Sequence, residues 1–281
     1  MLHERLAEAR SALMQAGIAP DEAALDAEVL ARHVLECDRA TLLTRARDPL
    51  PSAFDRLFQQ LLARRLAREP IAYIVGHREF WGLEFEVTPA VLIPRPETEL
   101  IVEEALRSLP ARDAAAQIVE VGAGSGCLAV ALAVEFPAAQ VTATDISHDA
   151  LAVAYRNAVR HNVIGRITFL HGDLFENVAG PADLIVSNPP YVPTGDRATL
   201  QTEVARYEPA AALYGGADGL DVIRRLLDGA PAVAAPGGWL IVEFGYGQEA
   251  AMAEAARRAG WTVARIRSDL QGIPRIAVLR R

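Results

Sequence analysis

The segment from residue 117 to 135 constrains the fold of this chain more than any other feature of its sequence. The apolar run Ile118–Val121 leads straight into the glycine-rich run Gly122–Gly126, and an alanine-rich apolar stretch follows. This order predicts a strand, a tight turn that lets a ligand approach the backbone, and a helix whose N-terminus lies behind that ligand. The unit by itself indicates a nucleotide-type ligand only weakly, because nicotinamide-binding proteins use a related turn.

The chain from residue 96 onward repeats this alternation of strand and helix, which is typical of a parallel sheet covered on both faces. The last two strand-like runs are too close for a crossover helix, so we expect them to pair antiparallel. The expected fold class is therefore α/β, with a Rossmann-like seven-stranded sheet whose closing antiparallel pair suits a methyltransferase. The predicted strands are Gln117–Val121, Gln140–Asp145, Arg166–His171, Asp183–Ser187, Gly238–Phe244, Thr262–Ser268 and Arg275–Arg280.

The N-terminal part of the chain shows helical periodicity instead, and we expect a small helical bundle there. A first helix is predicted from the spacing of Leu2, Leu6, Ala9, Leu13 and Met14, and a second from Leu25, Val29, Leu30 and Val34. A third, from about residue 52 to 68, carries Leu57, Leu61, Leu62 and Leu66 on one side and arginines on the other.

Between residues 77 and 93 the apolar residues alternate, and Gly82 stands at a natural turn, so a β-hairpin is predicted. The expected domains are a helical domain over 1–72, a β-hairpin linker over 73–95 and a methyltransferase domain over 96–281.

The acidic balance of the chain argues against a protein that binds nucleic acid directly. The formal net charge is −8 and the sequence pI is about 5.3, whereas such proteins usually carry a basic surface. Cys37 and Cys127 cannot build a disulfide framework or a metal cluster. No apolar run approaches the ~18 residues of a membrane helix. We expect a cytoplasmic, monomeric protein without a metal.

Three acidic residues at successive strand ends sharpen the prediction of a ligand. Asp145 lies 19 residues beyond Gly126, where a carboxylate can bind both ribose hydroxyls. Asp173 is placed to accept a hydrogen bond from an adenine amino group. Glu120, before the glycines, disfavours a pyrophosphate but suits a cationic ligand, so the set favours S-adenosylmethionine over NAD. A simpler interpretation is that Asp145 caps a helix and Asp173 lies in a turn.

The fourth predicted strand ends in Asn188-Pro189-Pro190-Tyr191, at the edge where ligands bind in open α/β sheets. This run is either a stiff turn or a site that binds an NH₂ group. The Asn188 side-chain oxygen and the Pro189 carbonyl can accept both N–H bonds of a planar amide or aryl amine. Tyr191 is expected to pack against its flat face. The predicted catalytic residues are Asn188, Pro189 and Tyr191.

The sequence also resembles a known family, the peptide chain release factor glutamine methyltransferases (PrmC/HemK family). The resemblance covers nearly the whole chain and includes the runs Tyr73–Trp81, Ile93–Glu99, Glu120–Gly126, Val186–Tyr191 and Asp269–Arg275. Two departures are that Glu120, Val121 and Ala123 stand where members often have Asp, Leu and Thr, and that Leu174 stands where some have tryptophan.

The resemblance implies that S-adenosylmethionine is converted to S-adenosylhomocysteine while the side-chain nitrogen (N5) of the glutamine in the Gly-Gly-Gln motif of class 1 release factors is methylated. It also implies that the helical domain grips the release factor. The expected cofactor residues are Glu120, Gly122, Ala123, Gly124, Ser125, Gly126, Asp145, Asp173, Leu174 and Asn188. The expected substrate residues are Arg95, Asn188, Pro189, Pro190 and Tyr191.

Three other functions stay open. One is methylation of adenine in nucleic acid, which shares the Asn-Pro-Pro-Tyr motif. The others are methylation of a glutamine in a ribosomal protein, and a non-catalytic module that binds S-adenosylmethionine and docks on a partner. The acidic balance counts against the nucleic acid, and an intact acceptor motif counts against the non-catalytic module.

Overall fold

The computed structural model describes residues 1–44, 48–109, 111–113 and 115–281. These residues divide into two compact units. The first, called here the helical unit, contains residues 1–76 and also residues 201–207. The second, called the sheet unit, contains residues 77–200 and 208–281.

The helices are α1 (Leu2–Gln15), α2 (Pro20–Leu35), α3 (Arg39–Thr44), α4 (Phe54–Leu66), α5 (Ile71–Val75), α6 (Glu99–Ser108), α7 (Cys127–Glu135), α8 (His148–Arg160), α9 (Thr202–Tyr207), α10 (Asp221–Val233) and α11 (Glu249–Arg258). The strands are β1 (His77–Phe80), β2 (Leu83–Glu86), β3 (Gln117–Val121), β4 (Gln140–Asp145), β5 (Ile167–His171), β6 (Ala182–Ser187), β7 (Ala234–Glu243), β8 (Thr262–Ser268) and β9 (Pro274–Arg280).

The helical unit packs α1, α2 and α4 around one apolar core. Its buried residues include Leu2, Ala9, Leu13, Ala27, Leu30, Phe54, Phe58 and Leu62. The predicted apolar faces were wrong at three positions, since Met14, Leu25 and Leu57 are exposed. In α4 the buried face contains Phe54, Phe58 and Leu62, and Leu57 lies outside this face.

Arg65 is also buried, although the sequence pattern placed the arginines of α4 on the outside. Its side chain is 1% exposed, and its guanidinium donates to Asp26 at 2.6 Å, to Glu203 at 2.8 Å and to Glu22 at 2.9 Å. Glu203 lies on α9, which is the part of the helical unit supplied by residues 201–207. A buried cation requires such carboxylates, because an unpaired charge would be costly to desolvate.

We predict that Arg65→Ala lowers the free energy of unfolding by about 3–5 kcal/mol, because Asp26 would remain buried without its cation. Equilibrium denaturation followed by circular dichroism measures the change. Arg56→Ala, at an exposed position of the same helix, is the matched control and should stay within about 0.5 kcal/mol of the wild type. If both variants are equally stable, the buried ion cluster is not what holds the unit together.

In the sheet unit, seven strands among the described residues form one sheet in the order β5-β4-β3-β6-β7-β9-β8. The pairs from β5 to β7 are parallel, and β9 runs antiparallel to both β7 and β8. The expected α/β methyltransferase fold and its antiparallel closing hairpin are confirmed. The largest boundary difference is β7, whose early start at Ala234 pairs with Ala182 across an irregularity in register.

The two faces of the sheet are buried by different helices, because successive side chains of a strand point to opposite faces. Ile118 packs into a core that contains residues of α6 and α7, whereas Val119 packs into a core that contains residues of α10 and α11. The carboxyl ends of the parallel strands are left to form an edge between these layers.

The predicted hairpin is formed by β1 and β2, which pair antiparallel. Trp81 and Gly82 form its turn with φ of 56° and 69°, which is the arrangement that tight two-residue hairpins require. Phe80 and Phe85 are buried in the core of the sheet unit.

In the described part of the chain, no helix has both the length and the apolar character needed to span a bilayer.

Candidate active site

A pocket of about 360 Å³ opens at the carboxyl ends of the parallel strands. This is the edge at which open α/β sheets bind their ligands. The residues singled out from the sequence that line it are Arg95, Glu120, Gly122, Ala123, Gly124, Ser125, Asp145, Asp173, Leu174, Asn188, Pro189 and Pro190. Within the described part of the chain, Gly126 and Tyr191 are not among the lining residues.

The glycine-rich loop between β3 and α7 takes a backbone path that favours glycine. Gly122 and Gly126 have φ of +81° and +77°, and a Cβ at Gly126 would lie 2.9 Å from the Cβ of Ala154. The N–H groups of Gly122 and Ala123 both donate to the Thr144 carbonyl, at 2.9 and 2.8 Å. These bonds fasten the loop to the end of β4.

Asp145 links this loop to the start of α8. One carboxylate oxygen accepts from the Gly124 N–H and the other from the Ser147 N–H, each at 2.8 Å. The N-cap of α8 is Ser147, whose hydroxyl oxygen accepts from Ala150. Each Asp145 oxygen keeps a further lone pair, so the carboxylate can still accept hydrogen bonds from a diol in the pocket.

Glu120 lies almost fully buried beneath the loop, with 1% of its surface exposed. One of its oxygens accepts from the Ala129 N–H at 2.9 Å, and burial raises the pKa of its carboxyl group well above the usual value. Burial also raises the pKa of the neighbouring Cys127 thiol to about 12, so this cysteine stays neutral and is not a nucleophile.

The charges that line the pocket do not balance. Arg95 pairs with Glu208, and Arg225 pairs with Asp173. Among the described lining residues, Glu120 and Asp145 then remain as acids without an arginine partner. Asp145 supplies the unpaired negative charge, whereas burial favours the neutral form of Glu120 until a nearby cation stabilises its carboxylate. The pocket therefore suits a positively charged ligand better than a phosphate.

Leu174 follows Asp173 in a left-handed backbone conformation, with φ of +53°. The hydroxyl of Thr144 donates to the Leu174 carbonyl at 2.8 Å and fixes this turn against the end of β4. The Asp173 carboxylate, already paired with Arg225, must share or exchange that partner if it is to accept from an adenine amino group.

The run Asn188-Pro189-Pro190-Tyr191 is held where β6 leaves the sheet. The Ser187 hydroxyl donates to the Val121 carbonyl of the neighbouring strand at 2.7 Å. The Asn188 side-chain NH₂ donates to the Thr98 hydroxyl oxygen at 3.0 Å. Pro189 is buried, and like every proline it has no backbone N–H.

Tyr191 and Thr98 meet at one carboxylate. The Thr98 hydroxyl donates to one oxygen of Glu243 at 2.7 Å, and the Tyr191 hydroxyl donates to the other at 3.0 Å. Glu243 is 1% exposed, and burial raises the pKa of its carboxyl group to about 7. The same carboxylate and burial raise the pKa of the Tyr191 phenol.

Known proteins resemble this chain over nearly its whole length. Residues 4–76 match the family model described as the PrmC N-terminal domain, and residues 98–208 match the methyltransferase small domain. A release factor glutamine methyltransferase of Geobacter sulfurreducens is 46% identical over 268 residues, which cover 95% of this chain and 92% of that protein. The protein of the same description from Bordetella pertussis is 47% identical and covers 90% of this chain and 93% of its own length.

The chain belongs to the release factor glutamine methyltransferase family. This confirms the family recognised from the sequence runs. Among solved structures, a methyltransferase from Pyrococcus furiosus aligns with a TM-score of 0.55 and 21% identity over 79% of this chain and 98% of its own, which supports the fold.

Sequence reasoning missed several residues that shape this family member's site. Asn157 on α8 donates to the Ser125 carbonyl at 2.8 Å and to the Glu86 carbonyl at 3.0 Å, and so ties the glycine-rich loop to β2. Thr98 was inside a recognised motif but had no role. Glu243 could have been found as an acid at the end of a predicted strand, as Asp145 was. Arg225 and Glu208, which pair with the predicted residues Asp173 and Arg95, carried no sequence signal.

Among the described residues, no three histidine, cysteine or acidic side chains are arranged to hold a metal ion.

We predict that Asp145→Asn weakens the affinity for S-adenosylmethionine. The amide would present N–H to one of the two backbone donors that now face a carboxylate, and it would remove the charged acceptor for the ribose. Hydrogen bonds to charged groups contribute about 1.5–3 kcal/mol, so the Kd should rise roughly 10- to 100-fold.

Isothermal titration calorimetry measures this Kd directly. Asp149→Asn, an exposed acid on the first turn of α8, is the matched control and should bind normally. An unchanged Kd for Asp145→Asn would mean that this carboxylate serves the loop alone.

Proposed function

We propose that this chain methylates the side-chain amide nitrogen of the glutamine in the Gly-Gly-Gln motif of class 1 peptide chain release factors. The methyl donor would be S-adenosylmethionine. Family membership supports the reaction. The observation that carries the assignment of the site is the position of Asn188 and Pro189 on the wall of the same pocket as Asp145, an acid without an arginine partner among the described residues.

The pocket fits S-adenosylmethionine better than a dinucleotide. The N–H groups of Gly122, Ala123 and Gly124 already donate to oxygens of the protein, so they are not directed at a phosphate. Glu120 adds a buried carboxyl group beneath the loop. A ligand with an ammonium, a sulfonium and no phosphate meets both conditions.

When bound, S-adenosylmethionine supplies a methyl group: a carbon–nitrogen bond forms, the carbon–sulfur bond breaks with its electron pair left on sulfur, and the nitrogen releases a proton. The protein's part is to orient a poor nucleophile. The Asn188 side-chain oxygen and the Pro189 carbonyl accept the two N–H bonds of the amide and aim its nitrogen for in-line attack. Pro189 and Pro190 stiffen the backbone that presents these acceptors.

The remaining site residues are assigned by the same reasoning. Asp145 would accept from the ribose hydroxyls and Asp173 from the adenine amino group, while Glu120 would favour the positive end of the cofactor. Leu174 would contact the adenine, and Arg95 with Tyr191 would border the glutamine. We further infer a monomeric cytoplasmic enzyme whose helical unit recognises the release factor.

We predict that Asn188→Ala lowers kcat by roughly 10²–10³, because one of the two oriented acceptors of the amide is lost. Methylation of purified release factor with labelled S-adenosylmethionine measures the rate, and calorimetry should show a nearly normal Kd for the cofactor.

Parallel incubations with a ribosomal protein and with adenine-containing DNA test the other acceptor classes. Labelling of either in preference to release factor would contradict the assigned substrate. Near-normal turnover by Asn188→Ala would move the acceptor site elsewhere.

The helical unit generates a separate prediction. A shortened chain should begin at His77 and carry a flexible glycine–serine segment in place of residues 201–207, because those residues belong to the same unit. Methylation of intact release factor should fall by about 10²-fold, equivalent to about 2.7 kcal/mol of lost recognition. A single glutamine offers too little surface for selectivity.

The shortened chain must first show native circular dichroism and bind S-adenosylmethionine with normal affinity. Its activity on a short peptide containing the glutamine should fall much less than its activity on release factor. A folded shortened chain that methylates release factor at the full rate would show that the helical unit is not the recognition element.

A further inference from the structure

The buried cluster behind Asn188 contains two residues to which neither the sequence patterns nor the proposed reaction gives a role. Thr98 is 2% exposed and Glu243 is 1% exposed. They form a continuous chain of hydrogen bonds with Asn188, in which Asn188 donates to Thr98 at 3.0 Å and Thr98 donates to Glu243 at 2.7 Å. Thr98 also lines the pocket, and Glu243 is not among the described residues that line it.

We propose that Thr98 and Glu243 are positioning residues that fix which end of the Asn188 amide faces the substrate. The proposal rests on the proposed function, in which the Asn188 oxygen accepts an N–H bond of the glutamine. The direction of these hydrogen bonds, and not only their presence, decides which end of the Asn188 amide faces the substrate.

The direction follows from what each group can donate. An ionised carboxylate only accepts, so the Thr98 hydroxyl must give its proton to Glu243. The Thr98 oxygen then faces Asn188 with lone pairs only and can pair with NH₂ but not with the amide oxygen. The Asn188 oxygen is thereby turned away from Thr98 and becomes available to an N–H donor. The opposite orientation would place two acceptors against each other in a buried site, which is costly.

Protonation of Glu243 would remove this constraint on the orientation of the Asn188 amide. A neutral carboxylic acid donates from one oxygen, so it can donate to Thr98 and release the Thr98 proton toward Asn188. Both amide orientations are then satisfied, and the oxygen no longer has to face the substrate. The ionised network also leaves a negative charge behind the acceptor, where positive charge develops on the glutamine nitrogen.

The surroundings of Glu243 place this change near neutral pH. Burial raises the pKa of the Glu243 carboxyl group to about 7, against the lowering effect of the hydrogen bonds from Thr98 and Tyr191. Two other charged groups act on the Glu243 carboxyl group: Glu97 raises its pKa and Arg275 lowers it. Glu243 also raises the pKa of the Cys127 thiol, and Arg95 lowers that of the Tyr191 phenol. The carboxylate is therefore present above about pH 7 and is lost as the pH falls through that value.

The first test uses a matched pair at Thr98, measured with release factor as substrate. Thr98→Val keeps the shape of the side chain but removes the hydroxyl, so kcat should fall roughly 10- to 100-fold. Thr98→Ser keeps the hydroxyl and should retain most of the wild-type kcat. The Kd for S-adenosylmethionine should stay normal in both variants, which also shows that they are folded.

The second test is the pH profile of kcat. For the wild type, kcat should rise with pH and level off above about pH 7. Glu243→Gln has no titrating carboxyl group, so its profile should lose this step and stay below the wild-type plateau by about tenfold. Glu249→Gln, an exposed acid on the first turn of α11, is the control and should keep the wild-type profile.

The third test does not depend on turnover. NMR titration of ¹³C-labelled glutamate side chains, with the signal assigned by its loss in Glu243→Gln, should give a pKa of about 7 for the wild type. In Thr98→Val the pKa should be higher, because the hydrogen bond that favours the charged form is gone. The same shift should be absent in Thr98→Ser.

The outcomes separate this proposal from the proposed function. If the wild type methylates release factor and Asn188→Ala does not, but Thr98→Val keeps full kcat or Glu243→Gln keeps the pH step, the positioning role is overturned and the function stands. If the wild type does not methylate release factor, the function fails, and the NMR titration still decides whether Thr98 and Glu243 are coupled. A Glu243 pKa unaffected by Thr98→Val overturns the network in either case.

Discussion

The pairing of β3 with β4 on one side and with β6 on the other determines where the glycine-rich loop, Asp145 and Asn188 lie. In this register Val121 stands beside both Thr144 and Ser187. The next residues along the three strands are Gly122, Asp145 and Asn188, so the residues proposed to hold the cofactor, its ribose and the glutamine amide leave the sheet at one level. A shift of one residue in either pair would turn the side chains of that strand to the opposite face. The core and the site are therefore specified by the same hydrogen bonds.

Two buried carboxyl groups lie at this edge, and burial opposes the ionisation of both. Glu120 is next to the glycine loop and accepts from one backbone N–H, whereas Glu243 accepts from two hydroxyl groups. A fold selected for stability alone would place apolar residues there, because burying a carboxylate is costly even when it is hydrogen-bonded. Their presence beside a ligand pocket is more economically explained by function, Glu120 toward a cation and Glu243 toward the acceptor.

The sequence predicted the sheet well because strand periodicity, glycine turns and acids at strand ends are local signals. The bounds of β3, β4 and β8 agree with the expectation. The sequence could not predict side-chain partners such as Thr98 and Glu243. These two residues are 145 positions apart and meet through the packing of α6 on β7. Arg65 was misplaced for the same reason: its burial depends on Glu203, a residue from a distant part of the chain. Periodicity reports which face of a helix is apolar, but not which polar group finds a buried partner.

The two acceptors proposed for the glutamine amide differ in how they can be held. The Pro189 carbonyl belongs to the backbone of a proline pair, so its direction is restricted by the ring and by the peptide plane. The terminal side-chain bond of Asn188 can rotate by about 180°, which exchanges the positions of the amide oxygen and NH₂ with little change of shape. Shape complementarity cannot distinguish these two states, and only a neighbour with a fixed hydrogen-bonding direction can. On our proposal, Asn188 therefore needs the hydrogen-bonded hydroxyl of Thr98 and carboxylate of Glu243, whereas prolines suffice for the carbonyl.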